Sequence, residues 1–170
     1  MGGVEARAAE AGEGQALSPV VEGAAAPDFE LPDQNRQPVS LASVLGSGRS
    51  ALMVFFPFAF SGICGGELSA VQASLPEFQN DATQVLAISC DPTFSLGAWA
   101  ASAGFGFPLL SDFWPHGAVA SAYGVFDTAK GMALRGTFLV RPDGTISFAE
   151  VNQPGEPRDQ DGWRRALGAV

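Results

Sequence analysis

Two short and almost wholly apolar segments constrain the fold of this chain most strongly. The first covers residues 51–56 and the second covers residues 85–89. Each segment is short and rich in aliphatic or aromatic residues, so each is predicted to be a strand buried within a sheet. A pattern of helical spacing follows each of them. The alternation of strand and helix indicates a sheet that is covered by helices.

Hairpin patterns flank this central region on both sides. Residues 27–31 and 39–41 alternate apolar and polar side chains around a Pro-Asp-Gln-Asn turn. Nearer the C-terminus, residues 136–140 and 145–148 surround Pro142-Asp143-Gly144, which has the composition of a tight turn. The sequence therefore predicts that a hairpin precedes the alternating region and that another closes the sheet.

The remaining patterns predict four helices and one more strand. They are a helix that begins close to Cys64 with apolar spacing as far as Phe78, a helix over 94–103 that stops at Gly104, a strand over 107–110, a short helix over 117–123, and a final amphipathic helix over 159–167. The predicted fold class is α/β. It is a thioredoxin-like fold with a mixed central sheet flanked by helices and an added N-terminal β-hairpin.

Length and composition favour one domain. The chain has 170 residues, of which 46% are hydrophobic, and this is enough for one substantial core. Residues 1–20 show no apolar periodicity, and we expect them to form a disordered tail. The domain is then predicted to span residues 21–170.

Charge and cysteine usage argue against several classes of partner. The net charge is −9 and the nine cationic residues are scattered, so neither nucleic acid nor an anionic membrane is expected as a partner. No apolar run approaches the roughly 18 residues of a membrane-spanning helix, and the first twenty residues lack the features of a secretory signal. Two cysteines cannot form a disulfide framework, which favours a reducing, cytoplasmic location. With one histidine in the chain, neither a metal site nor a cofactor is expected.

Cys64 is the residue that carries the strongest chemical signal. It follows a predicted buried strand and stands at the start of a predicted helix. Free backbone N–H groups and the helix dipole at such a position favour the thiolate, which is the nucleophilic form of cysteine. A buried structural thiol is the alternative. The small and polar residues of 61–66 favour the reactive interpretation because glycines let backbone amides approach a ligand closely.

The segment from Pro57 to Cys64 resembles the peroxiredoxin active-site signature Pro-x-x-x-Thr/Ser-x-x-Cys. Glu67 and Arg135, the latter before Gly-Thr-Phe at the start of a predicted strand, stand at further matching places. Within this alkyl hydroperoxide reductase/thiol-specific antioxidant family, the phrases Phe-Pro-Leu-Leu-Ser-Asp-Phe-Trp-Pro-His-Gly-Ala-Val and Ala-Tyr-Gly-Val-Phe are most similar to the AhpE-type one-cysteine group.

The resemblance implies a thiol-dependent peroxidase that reduces hydrogen peroxide and organic hydroperoxides to water and alcohols. Cys64 would attack the peroxide and become a sulfenic acid, while Arg135 would stabilise the thiolate and the leaving oxygen. Ser61 would hydrogen-bond the peroxide and the sulfur. Pro57 would shield the sulfur from water, and Glu67 would orient Arg135 through an ion pair.

The fate of the oxidised sulfur is left open between two routes. Cys90 follows the second apolar strand and is a candidate resolving thiol, but the adjacent Asp91 would raise its pKa and disfavour the thiolate. The other route is an external thiol, which the resemblance implies to be mycothiol with a mycoredoxin, or a thioredoxin system. The resemblance also implies a homodimer.

Two further functions remain as alternatives. A peroxide sensor or a chaperone-like redox protein would begin with the same oxidation of Cys64 and would show little turnover. A thiol–disulfide oxidoreductase is disfavoured because that chemistry usually requires Cys-x-x-Cys, whereas Cys64 is followed by Gly-Gly-Glu.

Overall fold

A computed structural model describes residues 18–169 of the chain. Its elements in chain order are β1 (Glu30–Pro32), β2 (Pro38–Ser40), α1 (Leu41–Gly46), β3 (Ser50–Phe55), α2 (Gly62–Ala73), α3 (Leu75–Phe78), β4 (Thr83–Ser89), α4 (Thr93–Ala103), β5 (Leu109–Ser111), α5 (Ala118–Ala122), β6 (Phe126–Asp127), β7 (Met132–Ala133), β8 (Arg135–Val140), β9 (Ile146–Asn152) and α6 (Gln160–Leu167). Within this part of the chain, each helix is too short or too polar to cross a membrane.

A five-stranded mixed sheet forms the centre of the molecule. Its strand order is β5-β4-β3-β8-β9, in which β5, β4 and β3 are parallel and β8 and β9 join as antiparallel neighbours. β1 and β2 form a separate antiparallel pair, which is the predicted N-terminal hairpin. The predicted thioredoxin-like fold with a mixed sheet is confirmed. The carboxyl ends of β3, β4 and β5 meet at one edge of the sheet, where reactive sites of α/β folds gather.

The sheet separates two apolar clusters. Successive side chains of a strand point to opposite faces, so Val85 and Ala87 of β4 belong to one cluster while Leu86 and Ile88 belong to the other. The first cluster also contains Cys64, from α2, and the fully buried Trp163 of α6. The second contains residues of α1 and α5. Helices on both faces therefore bury a sheet whose central strand β3 is buried along its whole length.

The structure differs from the sequence prediction in three regions. Leu41 does not extend the first hairpin but begins α1, because the Ser40 side chain accepts a hydrogen bond from the backbone N–H of Ser43 and caps the helix. The helix of Cys64 ends at Ala73, and Pro76 lies in the first turn of a separate α3. The short β6–β7 hairpin was not predicted, because strands of two residues are too short to show periodicity.

The segment before β1 packs along the domain. The Val20 N–H donates to the Tyr123 carbonyl at 3.2 Å, and the Gly23 N–H donates to the Ile146 carbonyl at 2.8 Å. Of the predicted tail over 1–20, residues 1–17 lie outside the described residues. The domain boundary at residue 21 stays a prediction.

Candidate active site

Cys64 lies in the first turn of α2, directly after the loop that leaves β3. The helix starts with a hydrogen bond from the Gly65 N–H to the Ser61 carbonyl at 2.8 Å. Phe60 turns the chain into the helix with a φ of 62°, a conformation that non-glycine residues adopt rarely. The thiol is 2% exposed and packs in the same apolar cluster as Leu68 and Val71. The sulfur is therefore held in a fixed place at the N-terminal end of a helix.

Arg135 supplies the positive charge beside this sulfur. It is the first residue of β8, the strand next to β3, and its side chain is 6% exposed. Its Nη1 group donates to Cys64 Sγ at 3.5 Å. Burial limits the screening by water of the interaction between this cation and the sulfur.

Glu67 lies one helical turn after Cys64 and forms an ion pair with Arg135 Nη2. Burial acts to lower the pKa of Arg135, but the hydrogen bond and charge of Glu67, with a smaller effect of Cys64, outweigh burial and raise this pKa above its usual value. Arg135 therefore stays a cation although it is buried. The carboxylate also fixes the direction of the guanidinium, whose planar fork limits how it can meet the sulfur.

Arg158 is a second buried arginine in the site, and the sequence interpretation missed it. Its Nε group donates to Glu67 at 2.9 Å, its Nη1 group donates to Thr137 Oγ1 at 2.9 Å, and its Nη2 group donates to the Phe55 carbonyl. Burial lowers its pKa to about 10, so it is still charged at neutral pH. Through these hydrogen bonds, Arg158 connects Glu67 of α2 with Thr137 of β8 and with Phe55 at the end of β3. No local pattern could have identified it, since its side-chain partners lie at least 21 residues away in sequence.

Asp91 anchors the loop between β3 and Cys64. Its carboxylate accepts the N–H of Ala59 at 2.9 Å and the hydroxyl of Ser89 at 2.7 Å. Ser111 Oγ donates to the Asp91 carbonyl at 2.6 Å. The carboxyl end of β4 thus holds the loop of the neighbouring strand, and this contact was also not predicted.

Ser61 and Pro57 lie in that same loop. Ser61 is half-buried at the position that precedes α2, and its side chain does not cap the helix. Pro57 follows the end of β3 and, together with Arg135, lines a cavity of about 130 Å³. The structure thus brings Pro57, Cys64, Glu67 and Arg135 into one region, with Ser61 at the head of α2. The chemical roles expected of these five residues stay predictions.

Cys90 lies on the other side of the sheet. It belongs to the cluster that contains Leu86 and Ile88, whereas Cys64 belongs to the opposite cluster. Burial raises the pKa of the Cys90 thiol to about 12, and the nearby carboxylates of Asp112 and Asp91 add to this. Both cysteines are free thiols. The two cysteines therefore belong to the apolar clusters on opposite faces of the sheet.

An arginine-paired thiol at the head of a helix, on a thioredoxin-like sheet, makes this region a candidate thiol active site. The chain belongs to the AhpC/TSA family, whose model matches residues 23–149.

Similar proteins are named as peroxide-reducing enzymes. Alkyl hydroperoxide reductase E of Mycobacterium tuberculosis is 56% identical over 148 residues, which make up 87% of this chain and 96% of that protein. The selenocysteine-containing peroxiredoxin PrxU of Peptoclostridium acidaminophilum is 35% identical over 139 residues, covering 76% of this chain and 66% of that protein. The resemblance to the AhpE-type group of peroxiredoxins is confirmed.

Solved structures agree with this assignment. The peroxidoxin BcpB of M. tuberculosis superimposes with a TM-score of 0.78 at 29% identity, covering 88% of this chain and 97% of that one. AhpC of Enterococcus faecalis superimposes with a TM-score of 0.78 at 32% identity, covering 87% of this chain and 90% of that one.

Proposed function

We propose that this protein is a thiol-dependent peroxidase that reduces hydroperoxides through Cys64. The observation that carries the proposal is the hydrogen bond from Arg135 to the Cys64 sulfur in the first turn of α2. A thiolate held there by a buried cation is a nucleophile whose position is fixed before the substrate arrives. The names of the relatives support the same activity.

In the reaction, the Cys64 thiolate attacks the terminal oxygen of the hydroperoxide. An S–O bond forms while the O–O bond breaks, so the sulfur is oxidised to a sulfenic acid and the peroxide is reduced. The other oxygen leaves as hydroxide or alkoxide and takes a proton from water. Negative charge moves from the sulfur to the leaving oxygen during this step. Arg135 stabilises that charge by donating a hydrogen bond.

Neighbouring residues keep this geometry in place. Glu67 holds the guanidinium of Arg135 in the ion pair described above, and Arg158 holds Glu67 from the other side. Ser61 supplies a hydroxyl to the peroxide and the sulfur, and Pro57 restricts access of water. These assignments are supported by the position of each residue around the start of α2.

The sulfenic acid is reduced by a thiol from another molecule. Cys90 is unsuited to this step, because it lies on the opposite face of the sheet and its pKa of about 12 keeps it protonated. The donors to be compared are mycothiol with a mycoredoxin and the thioredoxin system. Two free thiols support a reducing, cytoplasmic location.

We further propose a homodimer that uses an aromatic rim beside the active site. The rim consists of large exposed side chains that follow the carboxyl ends of the three parallel strands, namely Phe58, Phe60, Ile63, Phe94, Phe113 and Trp114. Large exposed apolar side chains that gather at one edge of a domain are typical of interaction surfaces.

Stopped-flow oxidation of the reduced protein by hydrogen peroxide tests the activity. We expect Cys64→Ser to abolish the fast phase, whereas Cys90→Ser keeps its rate within about threefold of the native protein, since Cys90 lies outside the reacting groups. A fast phase that survives in Cys64→Ser would refute the proposal.

Steady-state turnover with each candidate thiol then separates an enzyme from a sensor. Catalytic consumption of peroxide is expected with one of the two donor systems. Mass spectrometry after one equivalent of peroxide should detect a Cys64 sulfenic acid. A Cys64–Cys90 disulfide would instead show that the second cysteine resolves the first.

A further inference from the structure

Met132 is a further sulfur-containing residue near the candidate active site, and the proposed peroxidase reaction does not use it. The chain has three methionines, of which Met1 lies outside the described residues. Met53 of β3 is 0% exposed, whereas Met132 of β7 is half-buried and partly open to solvent. A thioether that solvent reaches is also open to a dissolved oxidant.

Met132 and Arg135 line the same cavity, which has a volume of about 130 Å³. A water molecule occupies roughly 30 Å³ in the liquid, so this cavity can admit a molecule of the size of hydrogen peroxide. The remaining walls are formed by Pro57, Leu134, Asn152, Pro154 and Gly155. A small oxidant in this space can therefore contact both the thioether and the arginine.

Arg135 has an N–H group without a partner at this cavity. Its Nη1 group donates to the Cys64 sulfur, and its Nη2 group forms the ion pair with Glu67. The Nε atom is buried and has no hydrogen-bond partner among residues 18–169, in a residue that is 5% exposed. Buried polar groups in folded proteins are almost always paired, so this donor calls for an acceptor.

We propose that Met132 is a site of oxidative modification whose sulfoxide oxygen accepts a hydrogen bond from Arg135 Nε. The inference rests on the proposed peroxidase function for its oxidant, which is the hydroperoxide substrate. A thioether is a weak acceptor, whereas the sulfoxide is polar and carries an oxygen that accepts hydrogen bonds. Oxidation therefore supplies the acceptor that the buried N–H group lacks.

In the modification, a lone pair of the Met132 sulfur attacks the terminal oxygen of the hydroperoxide. An S–O bond forms while the O–O bond breaks, so the sulfur is oxidised to the sulfoxide. The proton of the attacked oxygen moves to the leaving oxygen, and the peroxide is thereby reduced to water or an alcohol. Arg135 Nε donates a hydrogen bond to the oxygen on which negative charge develops.

The sulfoxide is expected to slow the oxidation of Cys64. Its oxygen is the negative end of the S–O dipole, and the hydrogen bond to Nε places it against the guanidinium that pairs with the Cys64 sulfur. A negative partner added beside a cation weakens the effect of that cation on a neighbouring charge. Met132 therefore links prolonged exposure to peroxide with a lower rate at Cys64.

Peptide mass spectrometry of the Cys64→Ser protein after treatment with hydrogen peroxide locates the modification without interference from the candidate nucleophile. We expect the sulfoxide of Met132 to form about tenfold faster than that of Met53, or faster still, because Met53 is buried. In this background, Arg135→Lys keeps a cation but lacks Nε and should slow the oxidation of Met132 about threefold. If that variant lacks a cooperative thermal transition, Arg135→Leu is used, with the same direction expected. Equal rates at the two methionines, or a Met132 rate that does not depend on Arg135, would overturn the inference.

The effect on Cys64 is measured after this thiol has been protected as a mixed disulfide with a small thiol. The protected protein is treated with hydrogen peroxide, released with dithiothreitol and studied by stopped-flow oxidation. We expect the rate constant of Cys64 to be about threefold to tenfold lower than in an untreated sample, which is the range of one neutral hydrogen bond. A methionine sulfoxide reductase should restore the rate.

Met132→Leu removes the thioether, and its Cys64 rate should not change on the same treatment. Val39→Met in that background is the matched control, since Val39 is half-buried in β2 and packs against the cluster on the face opposite to Cys64. A sulfoxide formed there should leave the Cys64 rate unchanged. An undiminished rate in the native protein after full conversion of Met132, or an equal loss in either variant, would contradict the inference. The lack of a fast phase before treatment would instead refute the peroxidase proposal, while mapping in Cys64→Ser still tests the modification.

Discussion

The two cysteines show how strongly local surroundings decide the chemistry of one residue type. Both thiols are buried, at 2% exposure for Cys64 and 5% for Cys90. Cys64 has a guanidinium at 3.5 Å and the N-terminal end of α2 around it. Cys90 instead faces the carboxylates of Asp112 and Asp91. The two thiols are similarly buried and differ in the charge of their neighbours, which is a cation for Cys64 and two carboxylates for Cys90.

The raised pKa of Cys90 predicts a pH dependence of stability. The folded value is about 12 against an ordinary value of 9.0, so the folded chain holds this proton where the unfolded chain has released it. The free energy of unfolding should therefore fall as pH rises from 9 toward 12, by about 1 kcal/mol per pH unit for this group. Denaturant unfolding of the native protein and of Cys90→Ala across this range measures the effect.

The alanine variant should lose less stability than the native protein over that interval. Below pH 9 the two proteins should show a constant difference, because the thiol is protonated in both states. Parallel curves above pH 9 would mean that Cys90 ionises normally in the folded protein.

At the scale of elements, the loop between β3 and α2 depends on contacts from other parts of the chain. The carboxylate of Asp91, after β4, accepts a hydrogen bond from the N–H of Ala59. The ring centroid of Phe60 lies 6.1 Å from that of Trp99 in α4. A segment that carries a reactive group is positioned best when rigid elements hold it at more than one point. The loop is therefore fixed from the β4–α4 side as well as by its own helix.

Asp91→Ala is expected to slow the oxidation of Cys64 by about tenfold, because small displacements of a reacting group reduce the rate strongly. Asp91→Asn keeps an oxygen acceptor for Ala59 and should stay within about threefold of the native rate. Stopped-flow measurements with hydrogen peroxide give both values. Asp81→Ala, at an exposed aspartate, serves as the matched control. Equal losses of oxidation rate in the alanine and asparagine variants would show that the rate depends on the negative charge of Asp91 and not on its hydrogen bond with Ala59.

The sequence predicted those elements whose own residues contain the signal. The strand over 51–56, the helix stop at Gly104 and the hairpin over 136–148 all lie where local patterns placed them. α1 was missed because the alternation of Val39, Ser40 and Leu41 imitates a strand, whereas Ser40 in fact caps a helix.

The candidate site was predictable to the extent that its residues form a contiguous motif or match a family pattern. Cys64, Glu67 and Arg135 were selected in this way, and the structure brings them together. Arg158 and Asp91 act through partners that are distant in sequence, at separations of up to 103 and 32 residues. Contacts of this kind are produced by the tertiary fold, so a pattern within one segment does not contain them.

For the whole molecule, the distribution of exposed apolar groups is uneven. Six of the seven large exposed apolar side chains in residues 18–169 belong to the aromatic rim, and the exception is Val21. Trp114 and Phe94 are 80% and 74% exposed. The carboxyl edge of the parallel strands therefore combines the candidate reactive sulfur with most of the large exposed apolar side chains of residues 18–169.

If the aromatic rim forms the dimer interface, Trp114→Glu should shift the protein toward monomer, because a buried unpaired charge at an interface is costly. Sedimentation velocity at several concentrations measures the fraction of dimer. Val21→Glu places the same charge at an exposed apolar residue outside the rim and should leave that fraction unchanged. A Trp114→Glu protein that remains dimeric, or a native protein that is monomeric, would contradict the proposed assembly.

The placement of the two sulfurs on opposite faces of the sheet has a consequence for the protein in its surroundings. Under the proposed reaction, the apolar cluster around an oxidised Cys64 in residues 18–169 contains no second cysteine to receive the oxidising equivalents, so each cycle would end in a reaction with a thiol of another molecule. Recovery after a burst of peroxide is then paced by the local supply of reducing thiols. When that supply is exhausted, the waiting sulfenic acid is open to a second peroxide, which would carry it irreversibly to the sulfinic acid.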